Sequence, residues 1–321
     1  MSGAGSEPKT LALTAGDPCG IGPEVLMKAL FSIVSEPAIR DIKYRIYGSE
    51  SSFQASDARL FESLRSLPNI TWQLGSEKFA LAQGCSAGGQ AALKDLEASA
   101  RFVIDLPENR ALVTGPVDKF FIAQYQKDFT GQTGFLRQLS PSKRAIMMLA
   151  GPQIRVSLVT THLAISQVSK ALNQESIVQT CDESIAYLRK LRLNHKIRVA
   201  VCALNPHASD KGLFGSEEAD IIFPACEKLR RKYDVEIVGP LPADTLFVKY
   251  KDFDLIIAMY HDQALIPLKL LDFESAINIS LGLGFFRSSV DHGTAFDIAG
   301  QNKASFLSYK NAIIEAIAYL G

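Results

Sequence analysis

The sequence predicts an α/β protein with a largely parallel sheet that is covered by helices on both faces. Short β-branched or apolar runs alternate along the chain with segments of helical period. Several of these runs are apolar on both faces, which is typical of parallel strands buried between two helix layers. The 321 residues suffice for about two domains and a sizeable core.

The predicted strands are, in order, LALTAG, KYRIYG, ALVTG, RAIMML, IRVSLVT, KIRVAVCAL, VEIVG, DLIIAMY and AINISLG. Helical patterns such as GPEVLMKALFSIV, QAALKDLEASARFVIDL and QESIVQTCDESIAYLRKL lie between them. A further helix, SEEADIIFPACEKLRRKY, is predicted to begin at Ser216, because acidic residues follow this cap and a basic cluster ends the segment. The most polar, turn-rich gaps are Ser49 to Asp57 and Gln83 to Gly89.

The charge balance and the cysteines narrow the class of protein. Lys plus Arg and Asp plus Glu are equal at 34 each, so no basic field attracts nucleic acid or an anionic membrane. A small polar N-terminus and no apolar run of about 18 residues predict a cytoplasmic protein. The five scattered cysteines contain no Cys-x-x-Cys pair and are interpreted as small buried residues. A small molecule is therefore the expected partner.

Three of the five histidines follow predicted strands. His162 comes after IRVSLVT, His207 after KIRVAVCAL and His261 after DLIIAMY. Ligands of open α/β sheets bind beyond the carboxyl ends of the strands, so imidazoles from adjacent strand ends can converge on one divalent cation. Each histidine alone is more often structural, but their shared position favours a metal site. His195 precedes a strand and is interpreted as a surface residue.

A second set of polar residues suits an anionic substrate. Lys269, Asn278 and Arg287 follow His261 and together offer two cations and an amide, although either cation alone would be interpreted as a surface residue. Gln132 and Thr133 follow a glycine at a predicted helix start, where free backbone N–H groups attract anions. The glycines of TAGDPCGIGPE lack the spacing of dinucleotide or P-loop motifs and indicate a turn that leads into a helix.

Eight segments resemble, in order, the signatures of the 4-hydroxythreonine-4-phosphate dehydrogenase family of pyridoxal phosphate synthesis. They are GDPCGIGPE, LVTGPVDK, TGQTGFL, THL, LNPHASDKGLFGSEE, GPLPADTLF, AMYHDQALIPLK and INISLGLGFFRSSVDHGTAFDIAG. The resemblance implies an NAD- or NADP-dependent enzyme with the two-domain fold of isocitrate and isopropylmalate dehydrogenases. It also implies a homodimer with active sites near the interface.

The resemblance assigns roles to individual residues. It implies that three histidines bind the metal: His162, His207 and His261. It implies substrate binding by Gln132, Thr133, Lys269, Asn278 and Arg287. The expected catalytic residues are Lys269 and Asp244. The segment DHGTAFDIAG resembles the adenosine-binding loop of the related dehydrogenases, which implies cofactor contacts from His292, Gly293, Thr294 and Asp297.

The resemblance also leads to expected domain limits. The first domain is expected to comprise residues 1–128 plus 288–321. The second, residues 129–287, is expected to carry most of the metal and substrate ligands, with the active site in the cleft between the two.

The sequence departs from the family pattern at two places. Gln132 and Gly134 stand where the family usually has a histidine and an acidic residue. Gln132 can donate a hydrogen bond, but it cannot carry charge or titrate near neutral pH, so substrate affinity or identity is expected to differ. The loop from Ser209 to Lys211 replaces a segment that is glycine-rich and acidic in the family.

The expected reaction is oxidation of the C3 hydroxyl of 4-phosphohydroxy-L-threonine to a β-keto acid, which decarboxylates to 3-amino-2-oxopropyl phosphate. Histidine ligands suit zinc, cobalt or nickel, and magnesium or manganese would rely on substrate oxygens. Asp244 or a metal-bound water would each serve as the general base. The alternatives are a dehydrogenase of 4-phospho-D-threonate or 4-phospho-D-erythronate, a three-histidine metal hydrolase, and a non-catalytic sensor of phosphorylated metabolites.

Overall fold

A computed structural model describes residues 7–36, 41–142 and 144–321. The chain forms two compact units. Unit 1 comprises Met1–Ala145 and Gly282–Gly321, and unit 2 comprises Ile146–Leu281.

The strands are β1 (Thr10–Thr14), β2 (Lys43–Ser49), β3 (Ile70–Gly75), β4 (Arg110–Thr114), β5 (Ile146–Ala150), β6 (Arg155–Leu158), β7 (Arg198–Cys202), β8 (Glu236–Leu241), β9 (Leu255–Ala258), β10 (Ile277–Leu281) and β11 (Phe286–Val290). The α-helices are α1 (Gly22–Phe31), α2 (Glu50–Arg65), α3 (Ser86–Ile104), α4 (Lys119–Tyr125), α5 (Gln132–Leu139), α6 (Ile165–Ala171), α7 (Gln174–Lys190), α8 (Phe223–Lys232), α9 (Ala243–Val248), α10 (His261–Asp272) and α11 (Leu307–Leu320). The alternation of strands and helices confirms the predicted α/β class.

The strands of unit 1 lie in the order β3-β2-β1-β4-β11, and each neighbouring pair is parallel. The chain steps from β1 to β2 and β3 on one side and places β4 on the other side of β1. Strand order therefore reverses between β1 and β4. In open α/β sheets, such a reversal opens a crevice at the carboxyl ends of the strands, where ligands bind.

The core of unit 1 explains where the division of the chain falls. Phe129 and the α5 residues Phe135 and Leu136 are buried in one cluster with Leu112 of β4 and Leu283. Removing these apolar side chains from water holds residues 129–145 and 282–287 in unit 1. The sequence placed both segments in the second domain, so the observed limits differ from the expected ones. Three of the expected substrate ligands consequently belong to unit 1.

The strands of unit 2 lie in the order β10-β5-β6-β9-β7-β8. The pairs β6–β9, β9–β7 and β7–β8 are parallel, whereas β5 is antiparallel to both β10 and β6. Only four residues connect β5 to β6, and a connection this short joins antiparallel strands, because a parallel pair needs a crossover of about a dozen residues.

Four elements differ from the sequence prediction. The segment from Ser49 to Asp57 was predicted as a polar gap, but most of it forms the start of α2. The exposed side of this helix is polar, whereas Phe53, Phe61 and Leu64 form its buried face. Strand β3 was missed because its alternate positions are polar, and β11 was missed because its sequence FRSSV is polar although every residue is buried. The helix predicted from Ser216 instead begins with a π-helical turn, Glu218–Ile222, before α8.

Neither disulfides nor membrane spans characterise the fold. All five cysteines are free thiols; four are buried, as predicted, and Cys85 is half-buried. His195 is exposed and pairs with Asp254 at 2.7 Å, which confirms its surface position. Within the described ranges, no helix has both the length and the apolar character needed to cross a bilayer.

The turn after β1 buries a carboxylate. Asp17 is 1 % exposed, its Oδ1 accepts the N–H of Cys19 at 2.9 Å, and its own N–H donates to the carbonyl of Pro116 at 2.9 Å. Its Oδ2 has no hydrogen-bond partner among the described residues. Burial, with a contribution from the nearby charge of Asp118, raises the pKa of Asp17 to about 6. Ionisation of Asp17 therefore opposes folding.

This pKa predicts that stability depends on pH. The folded state binds the Asp17 proton more tightly than the unfolded chain, so the stabilisation is complete below the ordinary pKa of 3.8 and is lost as the pH rises through about 6. Between about pH 5 and pH 8, we expect the wild type to lose about 1.4 kcal/mol more stability than Asp17→Asn.

Urea unfolding at the two pH values measures this difference. Glu62→Gln, which alters an exposed carboxylate on α2, serves as the control and should retain the wild-type pH dependence. Identical pH dependence of Asp17→Asn and the wild type would contradict the expectation.

Candidate active site

A buried guanidinium lies beside the strand reversal of unit 1. Arg287 of β11 is 3 % exposed and donates from Nε and Nη2 to Thr114 Oγ1, at 3.2 and 2.8 Å. Its Nη1 lies 3.4 Å from Thr133 Oγ1, and its Nη2 lies 3.5 Å from Gln132 Oε1. The structure thus brings together Gln132, Thr133 and Arg287, three of the expected substrate ligands.

The guanidinium of Arg287 is a fixed positive charge that is suited to binding an anion. Burial lowers the pKa of Arg287 to about 9, which leaves the guanidinium charged at neutral pH. Burying a charge is costly, and the contacts to Thr114, Thr133 and Gln132 offset part of this cost with neutral oxygens. A carboxylate or phosphate would offset it further, because guanidinium groups bind both in a bidentate manner.

Gln132 is oriented by two contacts. It is the first residue of α5, and its Nε2 donates to the carbonyl of Gly115 at 2.9 Å while its Oε1 faces Arg287. Gly115 directly follows β4, so the amide joins the end of this strand to the guanidinium. Gln132 therefore helps to position Arg287 without adding charge to the site.

The three strands that precede the candidate metal ligands are neighbours in unit 2. Strands β6, β9 and β7 are adjacent and parallel, so the segments that carry His162, His261 and His207 leave the same edge of the sheet. The N–H and hydroxyl of Thr160 both donate to the carbonyl of Met259, at 3.2 and 2.7 Å. His162 and His261 each lie two residues beyond this contact, so the two histidines are at equivalent positions after their strands.

His162 and His261 meet at a cavity of about 230 Å³ that Tyr260 and Asp262 also line. The centroids of the two imidazole rings are 5.7 Å apart. Asp262 Oδ1 lies 2.7 Å from Nδ1 of His261, which leaves Nε2 of that ring as the atom for a ligand. A carboxylate that orients a histidine in this way is common in metal sites.

His207 occupies an unusual loop at the third strand end. The N–H groups of Leu204 and Asn205 both donate to Glu218 Oε1 at 2.8 Å, which anchors the start of this loop. From His207 to Lys211 every residue has a positive φ, between 43° and 71°. Runs of this kind in non-glycine residues store backbone strain and are concentrated at functional sites.

The metal fits this arrangement in part. His162 and His261 can supply two imidazole ligands, and His207 is exposed on the neighbouring strand end. Among residues 7–36, 41–142 and 144–321, no three His, Cys, Asp or Glu side chains are gathered as a metal cluster. The third ligand would therefore have to come from movement of the strained His207 loop or from the substrate.

Other expected site residues of unit 2 are separated along the chain. Lys269 is exposed in the last turn of α10, about 12 Å along the helix axis from His261 at 1.5 Å per residue. Asn278 is half-buried in β10, and Asp244 is exposed in the first turn of α9. The roles of these three residues stay predictions.

The expected cofactor segment packs on the turn after β1. The N–H of Ile21 donates to the carbonyl of Thr294 at 2.9 Å, and the α-carbon of Gly20 lies so close to this carbonyl that a side chain would clash. A buried His292 Nε2 has no hydrogen-bond partner among the described residues, and the side-chain position of Gly293 faces open space. An unpaired buried nitrogen and an open backbone position in the same segment fit a segment that binds a polar ligand.

Sequence reasoning missed the residues that support the site. Thr114 and Gly115 bind Arg287 and Gln132, and the buried Gln263 joins Met259 to Ala203 across two strand ends. The position of Thr114 at the carboxyl end of an apolar strand was a usable signal, similar to the one that singled out the histidines. Gln263 left no such signal, because its role depends on which strands are neighbours.

The parallel strands, the buried cation at the strand reversal and the paired histidines define an α/β enzyme with a site for a small anionic substrate. A family model described as the pyridoxal phosphate biosynthetic protein PdxA matches residues 18–316. The chain belongs to this PdxA family, which confirms the resemblance seen in the sequence.

Individual relatives cover nearly the whole chain. The 4-hydroxythreonine-4-phosphate dehydrogenase of Sulfurihydrogenibium sp. is 37 % identical over 319 residues, covering 96 % of this chain and 97 % of that protein. A Bradyrhizobium diazoefficiens protein with the provisional name D-threonate 4-phosphate dehydrogenase is also 37 % identical, over 334 residues and 96 % and 95 % of the two chains. These names support an oxidoreductase of the dehydrogenase class.

Solved structures agree with the fold. The crystal structure of 4-hydroxythreonine-4-phosphate dehydrogenase from Klebsiella pneumoniae superposes with a TM-score of 0.81 at 31 % identity, covering 98 % of this chain and 100 % of that one. Isocitrate dehydrogenase from Methylococcus capsulatus superposes with a TM-score of 0.50 at 14 % identity over 97 % and 87 % of the chains, which bears on the fold alone. The expected isocitrate dehydrogenase-like fold is thus confirmed.

The geometry around Arg287 predicts that unit 1 binds inorganic phosphate. We expect Arg287→Met to lower the phosphate affinity by about tenfold to a hundredfold, because a charged bidentate contact is lost while the side-chain volume is kept. Isothermal titration calorimetry measures the affinity. Arg101→Met, on the exposed side of α3, is the control and should bind phosphate like the wild type. A folded Arg287→Met protein with unchanged phosphate affinity would contradict this role.

Proposed function

We propose that this chain is an NAD-dependent, divalent-metal-dependent dehydrogenase that oxidises the C3 hydroxyl of 4-phosphohydroxy-L-threonine. The resulting β-keto acid loses carbon dioxide to give 3-amino-2-oxopropyl phosphate, in the cytoplasmic synthesis of pyridoxal 5'-phosphate. The observation that carries the proposal is the buried Arg287, held by Thr114, Thr133 and Gln132 beside the strand reversal of unit 1. It supplies the fixed cation that a phosphorylated or carboxylated substrate needs.

The residues around Arg287 orient the substrate. The guanidinium binds the phosphate or the carboxylate, and the Thr133 hydroxyl adds a hydrogen bond from the first turn of α5. Asn278 and Lys269 are proposed to bind the remaining polar groups. Fixing the substrate at several points presents one hydrogen of C3 for transfer and lowers the entropy cost of reaching the transition state.

The paired histidines are proposed to bind the divalent ion. His162 and His261 provide two imidazoles, Asp262 orients the second, and His207 is the third proposed ligand. When bound, the ion would supply Lewis acidity and the dinucleotide would supply the hydride acceptor for the oxidation. Asp244 is the candidate residue for accepting the hydroxyl proton, and Lys269 is the candidate for stabilising negative charge on the product.

The segment from His292 to Asp297 is proposed to bind the adenosine part of NAD or NADP. The unpaired Nε2 of His292 offers a hydrogen bond, and Gly293 leaves room for a ligand to approach the backbone. The exposed Asp297 is suited to accept hydrogen bonds from a ribose. An added 2'-phosphate would lie near this carboxylate, which favours NAD over NADP.

The uncharged residues Gln132 and Gly134 favour a second class of candidate substrate. Both polar atoms of the Gln132 amide form contacts, Nε2 with the carbonyl of Gly115 and Oε1 with Arg287. The side chain brings no charge to the site. A side chain at Gly134 would require the Thr130 hydroxyl to move, because an added Cβ would lie 2.6 Å from Thr130 Oγ1. A site without a carboxylate at these positions also suits the hydroxy acids 4-phospho-D-threonate and 4-phospho-D-erythronate, which lack an ammonium group.

The decisive assay follows NADH absorbance with metal-loaded protein and each of the three phosphorylated compounds, with and without a chelator. We expect chelator-sensitive NADH formation, fastest with 4-phosphohydroxy-L-threonine. Asp262→Asn should raise the metal concentration required by about tenfold to a hundredfold, because it loosens His261. His195→Ala removes a histidine that pairs with a carboxylate elsewhere in unit 2 and is the control. No NADH from any compound, with metal shown to be bound, would favour the hydrolase or the sensor.

A homodimer is proposed from the surface of α10. Ile266, Leu270 and Phe273 are 60, 81 and 74 % exposed and are spaced four and three residues apart, so they form one apolar stripe. A two-fold symmetric partner would cover such a stripe with the same stripe of a second copy. Lys269 adjoins Leu270, which agrees with the expectation of an active site near the interface.

Light scattering coupled to size-exclusion chromatography tests this surface. We expect a dimer for the wild type and a shift toward monomer for Leu270→Glu, because a charge would be buried in the apolar contact. Phe31→Glu changes a 53 % exposed residue of unit 1 and should leave the dimer intact. A monomeric wild type at the concentration of the activity assay would contradict the proposal.

A further inference from the structure

Two of the five thiols lie in contact in unit 1. The Sγ atoms of Cys19 and Cys85 are 3.9 Å apart, although the residues are separated by 66 positions in the sequence. Cys19 is in the turn after β1, and Cys85 is the N-cap of α3. The absence of a side chain at Gly88 permits this approach, because an added Cβ would lie 3.1 Å from the sulfur of Cys19 and 3.5 Å from that of Cys85.

We propose that Cys19 and Cys85 form a reversible disulfide that weakens the binding of the nicotinamide dinucleotide to unit 1. Closing the bond requires the sulfurs to approach by about 1.9 Å, from 3.9 Å to a bond length of about 2.0 Å. Rotation of two short side chains and a small shift of the Cys19 turn can provide this movement. The other three cysteines are fully buried and are not drawn into contact with this pair.

The two thiols have different roles in the oxidation. Cys85 is half-buried between the exposed residues Gln83 and Ser86, so a small oxidant reaches it first. Its Sγ accepts the N–H of Gly88 at 3.3 Å at the start of a 19-residue helix, which fixes the direction of the side chain. Cys19 is 1 % exposed, and burial together with the charge of Asp17 raises the pKa of its thiol. Cys19 is therefore the second thiol to react.

A hydroperoxide is the class of oxidant that balances the reaction. The Cys85 sulfur attacks one peroxide oxygen and the O–O bond breaks. The proton of the Cys85 thiol joins the departing hydroxide, so a sulfenic acid forms at Cys85 and one water leaves. The Cys19 sulfur then attacks the Cys85 sulfur, so that the S–S bond forms, the S–O bond breaks and a second water leaves. The proton of the Cys19 thiol joins the departing hydroxide and leaves in this second water. The two thiols lose two electrons and the peroxide gains them.

The Cys19 turn transmits this change to the expected cofactor segment. Gly20 and Ile21 follow Cys19 and touch the carbonyl of Thr294, by close packing and by a hydrogen bond of 2.9 Å. The carbonyl of Cys19 also accepts the N–H of Ala82 at 2.9 Å, so the turn is held on two sides. Pulling Cys19 toward α3 disturbs the contact with Thr294 and therefore the position of the residues from His292 to Asp297.

The bond itself is tested without any cofactor. The reduced full-length protein is treated with hydrogen peroxide, and peptide mass spectrometry follows the loss of two hydrogens and a Cys19–Cys85 cross-link that dithiothreitol reverses. Cys85→Ser should abolish the cross-link and still fold, because serine is a favourable N-cap residue. Cys226→Ala, which removes a buried thiol of α8, should retain it. Oxidation that stops at sulfinic acid, or links other cysteines, would overturn the proposal.

The effect on the cofactor is measured by titrating NADH fluorescence with the reduced and the oxidised protein. This part rests on the proposed NAD-dependent function. We expect the dissociation constant to rise by about tenfold on oxidation, which corresponds to the loss of one well-formed hydrogen bond, and to recover on reduction. Cys85→Ser should bind NADH equally before and after peroxide. Absence of NADH binding to the reduced wild type would reject the proposed function, whereas equal binding by reduced and oxidised protein would reject the switch.

Discussion

The buried charge of Arg287 is the constraint that organises unit 1. A guanidinium at 3 % exposure loses most of its hydration, so oxygen atoms must surround it. The parallel register of β11 against β4 pairs Arg287 with Leu112, which leaves Thr114 at the carboxyl end of β4 within reach of the guanidinium. Gln132 and Thr133 complete the surroundings only because α5 packs on the same apolar core. The cost of burying this one cation therefore depends on the sheet register, on the position of α5 and on which segments belong to unit 1.

In unit 2, the alignment of strand ends determines where the histidines lie. The double contact of Thr160 with Met259 holds the ends of β6 and β9 in step, and the amide of Gln263 joins the end of β9 to Ala203 after β7. These contacts bring His162 beside His261. The His207 loop differs because its five left-handed residues store strain, which a metal or a substrate could offset on binding. Two adjacent imidazoles and one strained loop are consistent with the proposal that the metal site assembles when it is occupied.

The turn after β1 links several parts of unit 1. Asp17 binds the end of β4 through Pro116, Ile21 binds Thr294, and Cys19 touches α3. This one short turn contains a buried carboxylate with a raised pKa and a thiol that touches Cys85 at the start of α3, so the segment is proposed to respond to both protons and oxidants. Its glycines serve close packing against neighbouring backbone, which agrees with the sequence interpretation of a turn and not a phosphate-binding loop.

The sequence by itself determined the α/β class, nine of the strands and the family, because hydrophobic periodicity and ordered motifs are local properties of the chain. It also singled out the histidines, since residues that follow buried strands can be recognised without knowing which strands pair, and it picked out Arg287 as a cation after the LGLGFF turn. Only the tertiary structure decided that Gln132, Thr133 and Arg287 share unit 1, that Thr114 and Gln263 support the site, and that Cys19 lies against Cys85. These outcomes depend on strand order and on packing between distant segments. Such long-range contacts also explain why the polar strand β11 was missed, because its burial comes from its neighbours and not from its composition.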